Sequence, residues 1–211
     1  MNKELTNVSH AKRIYAFGDS IVYGHTAPKK SFMELIAQEN DIDLTMCAKN
    51  GATVIPGSGN DIITQIKNAP ALSPDIVVFD GYTNDAYEPV LEKLGAPKGC
   101  STADFDNTTF AGAFEEIIYT MKQRWEKAKI VYVTVHKSGA RDWAVQCALH
   151  HLTTAICKEW GVSVADVFAA SSLDTRDRAQ MKEYIIGESG SHPNEEGCKR
   201  FYIPIVKSQL I

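Results

Sequence analysis

Hydrophobic and polar positions follow two patterns along this chain: short apolar runs alternate with longer stretches in which apolar residues recur at helical spacing. The short runs are rich in valine and isoleucine, and several are apolar on both faces. Strands of this kind belong inside a parallel sheet that is covered on both sides. The predicted strands are RIYAFG (13–18), IDLTMCA (42–48), DIVVFDG (75–81), KIVYVTV (129–135) and GVSVADV (161–167).

Three of the longer stretches predict amphipathic helices. Segment 31–40 opens with Ser31 and has apolar residues at positions 32, 35 and 36, which mark one helical face. Segment 108–128 repeats this pattern after two threonines that can cap a helix. Segment 140–161 repeats it again and stops at Gly161, a residue type that commonly ends helices.

A further helix is predicted near the carboxyl end of the chain. It should begin after Pro193, with Asn194 as its cap and two glutamates in its first turn, where negative charge complements the helix dipole. Pro204 is expected to kink or end this helix, because proline has no N–H to donate and its ring disturbs the preceding turn.

The repeated order of strand and helix predicts an α/β fold, with an open, five-stranded parallel sheet between two helical layers. Crossovers of one hand leave few alternative topologies for this three-layer α/β/α arrangement. No internal repeat, low-complexity segment or linker interrupts the pattern, so we expect a single domain over residues 1–211. Segment 86–107, with two prolines and two glycines, lacks clear periodicity, and loops this long are usually functional or mobile.

Composition narrows the classes of function that fit the pattern. With 211 residues, 44% hydrophobic and 23% charged, the chain is suited to one soluble domain of ordinary size. A net charge of -4 and dispersed basic residues provide no electrostatic reason to expect a nucleic-acid partner. Residues 1–13 lack the apolar core of a secretion signal, and no apolar run approaches the roughly 20 residues of a membrane span. We therefore expect a cytoplasmic protein that does not insert into membranes.

The cysteines argue against two kinds of stabilising site. There are five, an odd number, and none stands in CxxC spacing, so neither a disulfide framework nor a zinc site is indicated. We expect reduced thiols, no metal and no organic cofactor. The pattern leaves the oligomeric state open.

Polar residues suited to acyl transfer follow several of the predicted strands. In an open parallel sheet, ligands bind beyond the carboxyl ends of the strands, so these residues should meet at one edge. They are Gly18-Asp19-Ser20 after the first strand, Asn50 and Gly51 after the second, Asn84 and Asp85 after the third, His136 after the fourth, and His192 beyond the fifth.

Four short blocks in this set carry a family resemblance. FGDS, NGA, TND and HPN, in this order between residues 17 and 194, resemble the motif blocks of the SGNH hydrolases, also called the GDSL esterase/lipase family. Each block alone is a weak signal, but all four in order, each near a strand end, are specific. The resemblance implies a flavodoxin-like SGNH hydrolase fold, hydrolysis of a small-molecule ester, and no cofactor.

The residue chemistry and the resemblance point to the same catalytic roles. Ser20, on a turn at the head of a helix, would attack the ester carbonyl, and His192 would accept its proton and pass it to the leaving alcohol. The resemblance implies an oxyanion hole formed by the backbone N–H groups of Ser20 and Gly51 and the side-chain amide of Asn84. Further candidates, for substrate binding, are Asp19, His136 and Tyr87.

The chain departs from the family pattern at the group that should orient His192. The family's last block is usually Asp-x-x-His, but Ser189 stands where the acid is expected. A histidine base needs its second nitrogen held and its developing charge offset. Four groups could serve: the Glu188 carboxylate, a backbone carbonyl near Ser189, the Ser189 hydroxyl, or Asp166 after the fifth strand. Two smaller departures are Tyr82 in place of a glycine and Ile21 in place of a leucine.

Three hypotheses of function follow. The first is a serine esterase for short acyl esters, particularly acetyl groups on sugars, with an acyltransferase or a thioesterase as variants of the same chemistry. The second is a flavodoxin-like module that binds phosphate or another anion at the Gly-Asp-Ser turn, although the chain has neither GxGxxG nor GxxxxGK[ST]. The third, suggested by Ser189, is a homologue that retains the fold and has lost efficient catalysis.

Overall fold

The computed structural model describes residues 11–25, 30–187 and 189–211, and a five-stranded parallel sheet forms its centre. The strand order is β2-β1-β3-β4-β5, and every neighbouring pair is parallel. The predicted five-stranded parallel sheet is confirmed. The strands are β1 (Arg13–Phe17), β2 (Asp43–Met46), β3 (Ile76–Phe79), β4 (Lys129–Val133) and β5 (Ser163–Ala165).

The central strands are buried on both faces, as their continuous apolar sequences predict. All four residues of β3 are buried, and four of the five residues of both β1 and β4 are buried. Ile14 pairs with Ile76 and Phe17 with Phe79 in register, so β1 and β3 end together at the same edge. The residues that follow these two strands are therefore brought side by side.

Helices form the two outer layers, with α2 packed on α9 and α3, α4 and α5 packed in a row. The three long predicted helices are confirmed, and the side chains of Ser31, Thr109 and Asp142 cap them by accepting backbone N–H groups. The helices before the carboxyl-terminal segment are α1 (Ser20–Tyr23), α2 (Phe32–Asn40), α3 (Ile62–Lys67), α4 (Phe110–Arg124), α5 (Trp143–Glu159), α6 (Val167–Ala170) and α7 (Arg178–Tyr184).

The carboxyl-terminal segment is helical from α8 (Glu195–Gly197) through a π-helical turn (Cys198–Tyr202) to α9 (Ile203–Leu210). Asn194 caps it as predicted, accepting the Gly197 N–H at 2.9 Å. The sequence predicts a kink or an end of this helix at Pro204. The helix does not end there, since Pro204 is the second residue of α9, but its regular α geometry is interrupted just before the proline by the π turn.

Segment 86–107, which the periodicity left unassigned, is held by a buried carboxylate. It contains a 3-10 helix (Glu88–Lys93), and Glu115 on α4 accepts the backbone N–H groups of Lys98 and Gly99, both at 2.8 Å. Trp160 also donates to Glu115, at 3.0 Å. The segment is thereby tied to the helices beneath it.

All five cysteines are free thiols. In the part of the chain that the structure describes, every helix is too short or too polar to span a lipid bilayer.

Candidate active site

The turn after β1 presents Ser20 at the carboxyl edge of the sheet. Gly18 has a φ of 130°, and a Cβ at this position would collide with Asp80 Oδ1, so the turn requires glycine. Asp19 caps α1 by accepting the Ile21 N–H at 2.8 Å. Ser20 is the first residue of α1, and the first N–H groups of a helix have no partner within the helix. Ser20 therefore presents both a side-chain hydroxyl and a backbone N–H donor at this edge.

The structure brings His192 into contact with Ser20. Ser20 Oγ lies 2.9 Å from His192 Nε2, although the two residues are 172 positions apart in the chain. The histidine loop connects α7 to α8 and is fixed by the Ile186 N–H donating to the His192 carbonyl at 2.7 Å. The Asn194 N–H also donates to the Tyr184 carbonyl, at 2.9 Å. The imidazole is therefore carried by a defined loop.

Buried side chains support the histidine loop through the carbonyl of Gly190. This oxygen accepts hydrogen bonds from Thr175 Oγ1 at 2.6 Å, Ser138 Oγ at 3.1 Å and His136 Nε2 at 3.2 Å. The Tyr202 hydroxyl lies 2.7 Å from His136 Nδ1, a pattern that assigns the ring proton to Nε2. Burial lowers the pKa of His136 to about 4. His136, expected at the substrate, is fully buried and braces this loop from inside.

His192 lies in surroundings that favour its neutral form. Its pKa is lowered to about 4, first because burial disfavours the charged ring and then because the charged ring would interact unfavourably with Arg141 and His25. The His25 ring stacks on the His192 ring, with centroids 3.7 Å apart and planes within 6°. A neutral imidazole can accept a proton at Nε2.

The second nitrogen of His192 faces a hydroxyl. Ser189 Oγ lies 3.4 Å from His192 Nδ1, a long contact for a hydrogen bond. Asp166 instead bonds His150 Nε2 at 2.9 Å. Glu188 lies outside the described residues. Among the side chains that the structure describes, Ser189 is the one that contacts Nδ1.

Gly51 lies on the loop after β2, next to the serine turn. Its φ is 75°, a backbone conformation that favours glycine, and a Cβ there would meet open space. The loop is joined to the serine turn by the Lys49 N–H, which donates to the Gly18 carbonyl at 3.0 Å. The Gly51 backbone is exposed and free of side-chain cover.

Asn84, after β3, joins the loops that follow β1 and β2. Its side-chain amide donates to the Ala52 carbonyl at 2.8 Å and contacts Asp19 Oδ2 at 3.4 Å. The neighbouring Asp85 carboxylate accepts the backbone N–H groups of Val54 and the residue after it, at 2.9 and 3.1 Å. Burial raises the pKa of Asp85 to about 6. Asp85 thus secures the loop on which Asn84 depends.

The two other candidates for substrate binding occupy opposite environments. Asp19 is fully buried beneath the turn, where it orients backbone and amide groups instead of facing the open side. Tyr87 is 55% exposed, and the guanidinium of Arg141 lies 4.6 Å from its ring centroid. Beside Tyr87 is a shallow cavity of about 310 Å³, lined by Ile55, Asp85, Tyr87, Pro89, Val90 and Lys93.

Sequence analysis missed three residues at this edge: His25, Arg141 and Asp80. Asp80 directly follows the third strand, and this position is the signal that could have identified it. His25 and Arg141 have no comparable signal, since neither belongs to a recognisable block. In the described ranges, no group of three or more His, Cys, Asp and Glu side chains is arranged to hold a metal ion.

Comparisons with known proteins agree with this architecture. The family model described as "GDSL-like Lipase/Acylhydrolase family" matches residues 16–200. No curated protein sequence matches the chain.

Solved structures have the same fold. A protein from Lactobacillus plantarum aligns with a TM-score of 0.79 and 18% identity, over 95% of this chain and 96% of that chain. Phospholipase A1 from Streptomyces albidoflavus aligns with a TM-score of 0.69 and 16% identity, over 94% and 99%. An active-site mutant of a family two carbohydrate esterase from Clostridium thermocellum aligns with a TM-score of 0.65 and 15% identity, over 94% and 63%.

Proposed function

Since the chain belongs to the GDSL-like lipase/acylhydrolase family and is an ester-hydrolysing enzyme, we propose that Ser20 is its nucleophile and His192 its general base. One observation carries this proposal: the 2.9 Å contact between Ser20 Oγ and His192 Nε2. This is the distance at which a base can take a hydroxyl proton. The lowered pKa of His192 keeps the ring in the form that accepts it.

The proposed reaction runs through an acyl-enzyme. Ser20 Oγ attacks the carbonyl carbon, its proton moves to His192 Nε2, and the carbonyl electron pair moves to the oxygen. The bond to the alcohol then breaks, and the alcohol leaves with the proton from Nε2. Water repeats the sequence on the acyl-serine and releases the acid. A different acceptor in this second half would make the enzyme an acyltransferase, and a thiol leaving group would make it a thioesterase.

Three donors are proposed to receive the developing negative charge: the N–H groups of Ser20 and Gly51 and the side-chain amide of Asn84. One amide hydrogen of Asn84 is engaged by Ala52 at 2.8 Å, while the other makes only a 3.4 Å contact with Asp19. Both amide hydrogens thus face acceptors of the protein, and we propose that the substrate oxygen replaces the longer contact with Asp19. The two backbone donors are held by the fold before substrate arrives and stabilise the transition state without reorganisation.

The proposed catalytic unit is a Ser-His dyad supported by a hydroxyl. When Ser20 donates to His192 Nε2, the ring proton resides on Nδ1 and points toward Ser189 Oγ. A neutral hydroxyl orients the ring but offsets less of the imidazolium charge than a carboxylate would. Glu188 remains a prediction as a charged alternative.

Short acyl esters, including acetyl groups on carbohydrates, are the proposed substrates. The cavity beside Tyr87 is shallow and small, which suits a short chain better than a long one. An exposed tyrosine ring can also pack against the apolar face of a sugar. Similarity to a carbohydrate esterase fold is compatible with this choice of substrate.

The anion-binding hypothesis finds less support. Helix α1 has four residues, so its dipole is short, and the side chain at its start contacts a histidine. A fluorophosphonate probe separates the two hypotheses. Covalent labelling of Ser20 would support the esterase, whereas an unlabelled protein that phosphate stabilises against heat would support anion binding.

Replacing Asn84 with alanine should lower kcat on p-nitrophenyl acetate by about 10²- to 10³-fold with little change in KM, because the amide acts on charge that forms in the transition state. The measurement is steady-state release of p-nitrophenol. Asn107→Ala is the matched control, since Asn107 is exposed and its amide donates to Glu116 Oε2 at 3.0 Å. Equal losses in the two variants would contradict the oxyanion role.

The acid limb of the kcat/KM profile should have its midpoint near the lowered His192 pKa of about 4, not near the ordinary value of 6.5. The base works when neutral, so activity should be lost as the pH falls through this midpoint and retained above it. Arg141→Gln removes a positive neighbour and should move the midpoint to higher pH. A wild-type midpoint at 6.5 would contradict the lowered pKa.

A further inference from the structure

Asp80 and Asp19 form a pair of buried carboxyl groups beneath the serine turn. Asp80 directly follows β3, and its Oδ1 accepts the backbone N–H of Asp19 at 2.8 Å. Its Oδ2 is buried, and no hydrogen-bond donor reaches it among the residues described. The two carboxyl groups lie close enough to influence each other's ionisation. Both are at most 1% exposed.

Two adjacent carboxyl groups away from water cannot both be ionised at low cost. The ionised form is better stabilised at Asp19, because its carboxylate accepts the Ile21 N–H at 2.8 Å and contacts the Asn84 amide. Asp80 interacts with the backbone N–H groups of Asp19 and, more weakly, Val22, and its Oδ2 has no hydrogen-bond partner within the geometric limits among the described residues. Burial and then the charge of Asp19 raise the pKa of Asp80 well above its usual range.

We propose that Asp80 is a neutral acid whose Oδ2 donates a hydrogen bond to the Asp19 carboxylate, and that it acts as a positioning residue for the active site. Asp19 in turn orients Asn84 and the start of α1, where Ser20 begins the helix. Asp80 also fills the space that Gly18 leaves open. The inference rests on the proposed function, since it assigns the pair to the oxyanion amide and the nucleophile.

The surrounding titratable groups are compatible with a proton on Asp80. The positive charge of Arg141 acts to lower the pKa of Asp19 and therefore favours the ionised form of Asp19. Three tyrosine hydroxyls that interact with Asp80 are neutral, because burial raises the pKa of each. These hydroxyls belong to Tyr82, Tyr132 and Tyr202. Asp85, on the same loop, feels the charge of Asp19.

The test compares Asp80→Asn, Asp80→Leu and Asp19→Asn. An asparagine at position 80 can accept the Asp19 N–H and donate to the Asp19 carboxylate, so it should retain kcat within about threefold. Leucine can do neither and should lower kcat tenfold or more with KM nearly unchanged. Asp19→Asn should also lower kcat, since the charge belongs on Asp19. Thermal unfolding of each variant shows whether a lower kcat comes from a general loss of structure.

Asp80→Asn as impaired as Asp80→Leu, with both folded, would overturn the proposal. Infrared spectroscopy provides a readout that does not require activity. At pH 8 the wild type should show the carbonyl stretch of a protonated carboxylic acid, and Asp80→Asn should lack it. Absence of this band in the wild type would also overturn the proposal. A wild type with the band and no esterase activity would contradict the proposed function and leave the acid pair in place.

A separate observation concerns the positive charge at the open side of the site. Arg141 Nε donates to the Thr83 carbonyl at 2.6 Å, directly before Asn84, and its Nη1 donates to the Ala140 carbonyl at 2.9 Å. The guanidinium also packs over Tyr87. Its Nη2 has no acceptor, and no carboxylate lies within ion-pair distance, among the described residues.

The Arg141 charge disfavours the protonated His192 that the reaction must form. A negative charge on the substrate would offset this effect. Lys93, on the cavity beside Tyr87, adds a second cation. We infer that the enzyme's esters carry an anionic group, a carboxylate or a phosphate, which the Arg141 guanidinium binds. This inference also rests on the proposed function.

The test compares three acetyl esters: neutral phenyl acetate, 4-acetoxybenzoate and 4-acetoxyphenyl phosphate. The wild type should have a higher kcat/KM on one or both anionic esters, and the two arms distinguish carboxylate from phosphate. Arg141→Gln should lower the ratio of anionic to neutral kcat/KM about tenfold, as expected for one charge-assisted contact. Arg141→Lys should restore part of this ratio. A ratio of anionic to neutral kcat/KM near one in the wild type, or a ratio unchanged in Arg141→Gln, would overturn this inference and leave the proposed function in place. If the wild type hydrolysed none of the three esters, the proposed function would be contradicted as well.

Discussion

Ser20→Ala is expected to lower kcat on p-nitrophenyl acetate by about 10⁴-fold or more, because the acyl-enzyme pathway needs a hydroxyl at this position. The loss should appear in kcat, since the proposed substrate contacts at Gly51, Asn84 and Tyr87 remain. The fold should survive the change, because the described partner of the Ser20 hydroxyl is His192 Nε2 alone. The measurements are p-nitrophenol release, covalent labelling by a fluorophosphonate probe, and thermal unfolding.

Ser208→Ala is the matched control for this prediction. Ser208 is exposed on α9, and its hydroxyl donates to the Ile205 carbonyl at 2.8 Å. The next residue, Gln209, accepts a hydrogen bond from Lys129 at the amino end of β4, whereas the active site lies at the carboxyl edge. It should retain wild-type turnover and labelling. A folded Ser20→Ala variant that still turns over the ester within tenfold of the wild type would show that another group is the nucleophile.

His192→Ala is expected to cause the second large loss, of about 10⁴-fold in kcat, because both proton transfers pass through its Nε2. Labelling of Ser20 by the fluorophosphonate should slow in parallel, since the hydroxyl loses the base that activates it. The Ser20 and His192 losses should not add in the double variant, because the two residues act as one unit. Turnover of the three variants on one ester, at a pH well above the acid limb, measures this.

His151→Ala serves as the matched control for the histidine. His151 is exposed on α5, has no role in the proposed reaction and should keep wild-type kinetics. Loss of activity in both histidine variants would indicate a general effect on the fold. Retained activity in a folded His192→Ala variant would require a different base, for which His25, stacked on the same ring, is the neighbouring imidazole.

Much of the scaffold follows from local patterns. Continuous apolar runs predicted all five strands, and capping residues such as Ser31 and Asn194 were read directly from their positions before helical repeats. Short helices such as α6 and α7 escaped prediction because four to seven residues contain too little repeat to detect. An end of the helix at Pro204 was not excluded by the sequence, because the π turn that lets the helix continue there depends on packing and not on a local preference.

The sequence by itself determined the strands, the long helices and the chemical groups at the strand ends, because side-chain periodicity and turn chemistry act over a few residues. The tertiary structure alone decided how those groups face one another. The stacking of His25 on His192, the hold of Arg141 on Thr83 and the contact of Asp80 with Asp19 join loops that are distant in the chain. The lowered pKa of His192 and the raised pKa of Asp80 depend on burial and on neighbouring groups, which act only once the loops have come together.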